Sequence, residues 1–357
     1  MTTPLLLRFL AIVALPAAAA PPPVKVFLLA GQSNMEGKAP NTLLDHQAAD
    51  PKTKEAFAHL RRDGEWIVRD DVFIQFLDRH GPLTIGYGSP DRTGVELEFG
   101  HAMGDRFEQP VILVKAAWGG HSLQKNFRPP SAGFPPEAAL AKELEDARAR
   151  VTRENEKNSR TDPLPTLDTI KEAYGQSYRR MLEEVRGVLS NPGKVAPGLA
   201  GKSTEIAGFV WFQGWNDQYG GAELEYASNL RHLINDVRRD LNAPGLPVVV
   251  AAMGQNGSKP ATGPMLVIQQ AQLGLNDIPE LKGTVKAVAT DALVDTAAEA
   301  LYPKWKENFE QWKLTGGDHA YHYLGSALWF NRIGAAMAKA MTELLPSPQA
   351  TPAAAPR

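Results

Sequence analysis

Five short apolar segments lie at wide intervals along the chain: residues 24–30, 111–116, 206–212, 246–252 and 285–290. None has the 3.6-residue period of an amphipathic helix, and their β-branched, near-continuous apolar character reads as strands buried on both faces. Helix-periodic stretches lie between and beyond them. Residues 94–107 place Val95, Leu97, Phe99, Met103 and Phe107 on an apolar stripe, and 224–241 space Leu230, Leu233, Ile234 and Val237 three or four apart. Residues 265–275 and 325–345 complete the set. This alternation predicts βαβ units with right-handed crossovers. The expected fold is a three-layer, flavodoxin-like α/β architecture around a mainly parallel, five-stranded sheet.

Two stretches exceed that plan and read as long inserted loops. Residues 41–93 hold Asp, Arg, Pro and Gly clusters around one extended run at 66–76, which predicts an excursion bearing a hairpin. Residues 122–165 open with Pro129, Pro130, Pro135 and Pro136, then continue as a charged helix over 137–157. That helix has few apolar residues past Leu144, so it is expected to project into solvent or cap a site. Insertions of this length in a compact domain are more often functional than idle.

The first apolar segment runs directly into Gly31-Gln32-Ser33-Asn34-Met35-Glu36-Gly37. A Gly-flanked polar heptad after a buried strand marks a tight strand-to-helix turn at the carboxyl edge of the sheet, where open α/β folds bind ligands. Ser33 would sit at a helix start, beside free backbone N–H groups and the positive dipole end. That setting suits a hydroxyl that attacks a carbonyl and leaves an oxyanion to stabilise. A serine that merely caps the helix fits the position equally well.

Three blocks together resemble the SGNH hydrolases, in the sialate O-acetylesterase-like branch that includes carbohydrate esterase family six. Gly31-Gln32-Ser33-Asn34-Met35-x-Gly37 is similar to that branch's first block, and Trp211-Phe212-Gln213-Gly214-Trp215-Asn216-Asp217 to its W-x-Q-G-x-x-D block. Asp318-His319-Ala320-Tyr321-His322-Tyr323-Leu324-Gly325 is similar to its terminal histidine block. The heptad is not the G-x-S-x-G elbow of the α/β-hydrolases, because Met35 stands at the second glycine's place. The resemblance implies a serine esterase that removes O-acetyl groups from carbohydrates, with Ser33 as nucleophile and no cofactor. Esterases of non-sugar esters, and a catalytically inactive carbohydrate-binding protein of the same fold, are the alternatives.

Of the eight histidines, His322 lies in a loop before the last helix, at the same sheet edge as Ser33, and falls on the family block. It is the expected base; His319 and His121 are more distant candidates, and His101 and His232 lie within predicted helices. The family's D-x-x-H spacing would put the acid at position 319, which is a histidine, so Asp318, four residues before His322, is the candidate. A backbone carbonyl orienting His322 is the alternative. Oxyanion donors are expected from the Ser33 N–H, from the glycine block Ala116-Ala117-Trp118-Gly119-Gly120-His121-Ser122, with Gly120 preferred over Gly119, and from the Gln213 amide. Asn216 is the other amide candidate. Asn216, Asp217 and Trp118 are expected substrate contacts, and Trp215 and Tyr323 offer further flat faces to a sugar.

Composition narrows the partners. Of 357 residues, 38 are Lys or Arg and 40 are Asp or Glu, and no basic stripe stands out, which argues against nucleic-acid and anionic-membrane partners. There is no cysteine, so disulfides and thiolate metal sites are excluded, and no H-E-x-x-H or Walker loop is present. Residues 1–20 carry a short apolar core followed by Pro16-Ala17-Ala18-Ala19-Ala20, the pattern of a cleaved signal peptide, which predicts a secreted or periplasmic protein. The esterase domain is expected over 21–345 and a disordered Pro/Ala-rich tail over 346–357.

Overall fold

A computed structural model of the protein describes residues 21–346; the expected leader and all but the first residue of the expected tail lie outside them. In chain order the main sheet comprises β1 (Val24–Gly31), β2 (Val72–Phe76), β3 (Arg79–Pro82), β4 (Val111–Ala117), β5 (Thr204–Phe212), β6 (Val248–Ala252) and β7 (Val285–Ala289). Its spatial order is β7-β6-β5-β1-β4-β2-β3, parallel throughout except for β3, which runs antiparallel to β2 at one edge.

All five anticipated strands are present, but the sheet has seven. The two extra strands are the hairpin of the 41–93 excursion, which joins the main sheet rather than standing apart from it. Only 72–76 of the extended run at 66–76 enters this sheet, because Glu65–Trp66 pairs with Arg61–Arg62 in a separate small ribbon. β2 alternates buried Val72, Ile74 and Phe76 with half-buried Phe73 and Gln75, the pattern of a strand with one face on the core.

The principal helices are α1 (Glu96–Arg106), α2 (Glu137–Asn158), α3 (Gln176–Ser190), α4 (Glu223–Asp240), α5 (Gly263–Leu273) and α6 (Ala327–Leu344). Alternate residues of β1 serve opposite layers. Phe27 and Leu29 pack with α1 and α6, whereas Val26 and Leu28 pack with α3, α4 and α5. The α3 helix was not among the expected elements, although its buried Tyr178, Met181, Leu182, Val185 and Val188 carry a clear helical spacing. The charged α2 packs through Leu140 and Ala147 against Ile170 of the short helix Leu167–Ala173, in a small cluster separate from both main layers. It therefore stands off the body of the domain. Among the described residues no helix is long and apolar enough to cross a membrane.

One buried charge pair underlies the sheet edge. Lys115 of β4 is fully buried, and its Nζ lies 3.0 Å from Glu96 and 4.4 Å from the Phe76 ring centroid. The same ammonium donates to the Glu36 carbonyl at 2.6 Å. Burial lowers its pKa and Glu96 opposes that shift, as expected where an ion is desolvated but matched by a counter-ion. The strand ends are level here: Gly31 pairs with Ala117 on one side and with Phe212 on the other. Strand order reverses about β1, so the turns after β1, β4 and β5 open at a topological switch point.

His101 on α1 gives a stability test. It is buried with its Nε2 unpartnered, and burial, reinforced by Arg69, pushes its pKa down to about 4. The unfolded chain binds this proton near pH 6.5, so folding stability falls as pH drops from there toward 4. The shift corresponds to about 3 kcal/mol. Urea denaturation at pH 7 and pH 4.5 should show His101→Leu losing roughly 2–3 kcal/mol less than the parent. Equal losses in the two proteins would contradict this reading.

Candidate active site

Gly31 ends β1 against Phe212: a Cβ there would lie 2.1 Å from the Phe212 carbonyl oxygen, so only glycine permits the approach. The next residues form a single helical turn, Ser33–Glu36. Gln32 holds the capping position and Ser33 is the first helical residue, so the Ser33 hydroxyl does not cap this turn. Among the described residues the Ser33 N–H meets no protein acceptor.

Gln32 ties this turn to the one after β5. Its Oε1 accepts from the backbone N–H groups of Gly214 at 3.2 Å and Asn216 at 3.3 Å. Those donors fix the amide's orientation, so Gln32 Nε2 must donate, and it does so to Asn216 Oδ1 at 3.0 Å. Among the described residues the Asn216 NH2 is thereby left free, about 4.0 Å from where a Cβ on Gly120 would stand. Gln213, the amide expected in the oxyanion hole, is placed otherwise. It is buried, and its Nε2 faces Asp217 at 2.6 Å, the His121 carbonyl at 3.2 Å and Gln32 Oε1 at 3.3 Å. Three acceptors consume its two hydrogens.

Asp217 also departs from expectation. It is fully buried and accepts from the Leu123 and Gln124 N–H groups, each at 2.8 Å, besides Gln213. It latches the glycine-block loop to the β5 turn and has no face for a substrate. Burial pushes its pKa up to about 6, against the pull of those three donors.

After β4, Gly119 N–H donates to Glu36 Oε1 at 2.5 Å, whereas Gly120 N–H has no protein acceptor among the described residues. Gly120 has φ +77°, in the left-handed region that glycine tolerates. Glu36 Oε2 receives Lys38 at 2.7 Å and Ser89 at 3.0 Å. Burial opposes ionisation of Glu36, yet Lys38 and these donors together hold its pKa below the ordinary value. Trp118 is half-buried, packed against His121 and Phe127 with the Arg180 guanidinium over its ring at 5.2 Å. His121 commits Nδ1 to the Ser177 hydroxyl at 2.7 Å.

The last loop carries Asp318 and His322. One Asp318 oxygen lies 3.1 Å from His322 Nδ1 and accepts the His319 N–H at 2.7 Å; the other meets Arg92 at 2.9 Å. The His322 contact is a close approach of ring nitrogen to carboxylate oxygen without the geometry of a hydrogen bond. Burial would raise the Asp318 pKa, but His322, the His319 N–H and Arg92 outweigh it and hold the carboxyl below the usual range. Asn34 Nδ2 donates to the Tyr321 carbonyl at 3.1 Å, joining this loop to the Ser33 turn.

Beyond His322, Tyr323, Leu324 and Gly325 all have φ between +51° and +60°, a costly run for two side-chain-bearing residues. Tyr323 is wholly buried, so it is a core residue and not a sugar platform; its hydroxyl lies 2.8 Å from Thr290 Oγ1 and accepts from Gly254 N–H at 3.0 Å. His319 is exposed, stacked on Tyr321 at 5.2 Å. Among the described residues no three His, Cys, Asp or Glu side chains come together as a metal-binding group.

The family model "carbohydrate esterase, sialic acid-specific acetylesterase" matches residues 23–157 and 166–300, and the His322 loop follows the matched region. A probable carbohydrate esterase of Arabidopsis thaliana is 24% identical over 260 residues, 71% of this chain and 76% of its own length. Similar solved structures include an Arabidopsis thaliana protein, at 20% identity over 76% of this chain and 87% of that one, TM-score 0.44. A carbohydrate acetylesterase from Xanthomonas citri shows 14% identity over 76% and 51%, TM-score 0.41. NanS shows 13% identity over 76% and 79%, TM-score 0.42.

The Tyr323 anchor is testable without any assay of activity. Tyr323→Phe removes both hydrogen bonds and should cost about 1–2 kcal/mol in urea denaturation. Amide exchange across residues 318–324 should quicken at the same time, since the left-handed run loses its tether. Unchanged exchange there would show that the loop is held by something else.

Proposed function

Because the chain belongs to the carbohydrate esterase, sialic acid-specific acetylesterase family, we propose that it removes O-acetyl groups from a carbohydrate through an acyl-enzyme on Ser33. His322 takes the Ser33 proton as Oγ attacks the acetyl carbonyl. The Ser33 N–H, the Gly120 N–H and the Asn216 NH2 receive the oxyanion. His322 then protonates the departing sugar oxygen, and water, activated by the same imidazole, releases acetate. Asp318 orients the imidazole and offsets its positive charge, while Arg92 fixes the carboxylate from behind. Gln213 and Asp217 act one layer back, holding the glycine loop. No cofactor enters this chemistry.

The observation that best supports this reading is the Asp318 carboxylate lodged between His322 and Arg92, in a loop that Asn34 joins to the Ser33 turn. An acid four residues before the histidine lies 3.1 Å from Nδ1, which supports Asp318 in this role. Export to the periplasm or exterior belongs to the same proposal. It is supported by the apolar, small-residue pattern of residues 1–20, and N-terminal sequencing of the exported protein checks it.

With p-nitrophenyl acetate, Ser33→Ala should fold normally and lose turnover by several orders of magnitude. Near-normal turnover would remove Ser33 from the mechanism. Asn216→Ala should lower kcat by about 10²–10³ with little change in KM, the usual loss for one oxyanion donor. Gln213→Ala should act chiefly on stability; if it instead gives the pure kcat loss, the donor is Gln213. Asp318→Asn should reduce kcat by up to roughly 10⁴, against a small effect if a backbone carbonyl holds the imidazole.

A further inference from the structure

A row of aromatic rings leaves the proposed site and runs into a cleft. Trp215, beside Asn216, lies 5.8 Å from Tyr321, and Tyr321 stacks on His319 at 5.2 Å and 28°. His319 Nδ1 then faces the Tyr302 hydroxyl at 3.5 Å. Tyr302 packs at 5.5 Å on Trp312, which is buried and supports the row rather than facing a ligand, and half-buried Trp305 stands 6.4 Å from both Trp312 and the exposed Phe309. The cleft beside Tyr302 has a volume of about 400 Å³, a size suited to a small ligand. Asp318 and His319 form one of its walls, so it is continuous with the His322 loop.

We propose that this row is a track for a chain of pyranose rings, with a distal subsite at Trp305 and Phe309, so that the preferred substrate is an acetylated oligosaccharide. The proposal rests on the esterase reading above and extends it to substrate size. The lining favours sugar over an acyl chain. Flat aromatic faces suit the C–H faces of a sugar ring, and Thr42, Arg92, Lys313 and His319 share the lining and offer polar groups to its hydroxyls. An acyl chain would want a continuous apolar wall, which these side chains interrupt. Phe309 in the cleft wall is 51% exposed and Tyr321, stacked on His319 of the same wall, is 38% exposed; large exposed rings at a cleft and its approach mark a binding surface. Six of the seven rings lie between residues 302 and 321, beyond the region that matches the family.

The test compares monoacetylated glucose, xylose and mannose with monoacetylated cellotriose, xylotriose and mannotriose, using the full chain. At least one trisaccharide should exceed its monosaccharide about tenfold or more in kcat/KM, mainly through KM. In Trp305→Ala and in Phe309→Ala that ratio should fall toward one. A ratio is used because partial misfolding lowers both substrates alike and leaves it unmoved. A ratio near one for all three sugars in the parent protein, or one untouched by both variants, overturns the track. If the parent cleaves no ester at all, the esterase reading fails instead. Calorimetric titration of Ser33→Ala with the unacetylated trisaccharides then decides the track alone: binding that Trp305→Ala abolishes supports it, and no binding overturns it.

Discussion

The backbone of the last loop is the constraint on which the proposed site depends. Left-handed conformations at Tyr323 and Leu324 each cost of order 1 kcal/mol or more and persist only where the surroundings over-determine them. Here the Tyr323 hydroxyl is held in the core between Thr290 and Gly254, and the Leu324 carbonyl accepts the Gly317 and Asp318 N–H groups at 2.8 and 3.0 Å. The Leu324 N–H returns to the His319 carbonyl at 3.1 Å. The segment thus closes on itself and folds Asp318 back against His322. A regular helical turn is not needed to bring an acid four residues away to the imidazole.

The opposite side of the site is built from amides and carboxylates whose hydrogen bonds are already assigned. Gln32 reads two backbone N–H groups of the β5 turn, and Glu36 draws the Gly119 N–H to itself. Those engagements leave Gly120 N–H, Ser33 N–H and the Asn216 amide as donors without protein partners among the described residues. Preorganised donors are worth most where nothing must rotate at the moment of reaction. Beneath them the Lys115–Glu96 pair anchors the Glu36 carbonyl from inside the sheet, which links the packing of β4 to the placement of the Ser33 turn.

The strands and the serine turn were legible because buried parallel strands are apolar throughout and a Gly-flanked turn interrupts them sharply. Other features were written less clearly. The hairpin at 72–82 joins the sheet by pairing with a strand some forty residues away in the chain, a tertiary choice that its local alternation does not encode. The α3 helix was readable from its apolar spacing and was overlooked beside the charged α2. Asp217 looked like a surface or substrate residue because carboxylates are rarely buried, and only the converging Leu123, Gln124 and Gln213 donors explain its position. Whether Gln213 or Asn216 offers the free amide depends on which way Gln32 faces, and that is fixed by the Gly214 and Asn216 backbone donors of the β5 turn, some 180 residues away in the chain.

The proposed chemistry requires Ser33 to be a nucleophile activated by His322, and covalent labelling tests this most directly. A fluorophosphonate probe should modify the full chain once, with mass spectrometry locating the adduct on Ser33. Labelling should be lost in Ser33→Ala and strongly slowed in His322→Ala. An unlabelled parent protein, or an adduct on another residue that persists in Ser33→Ala, would contradict the account.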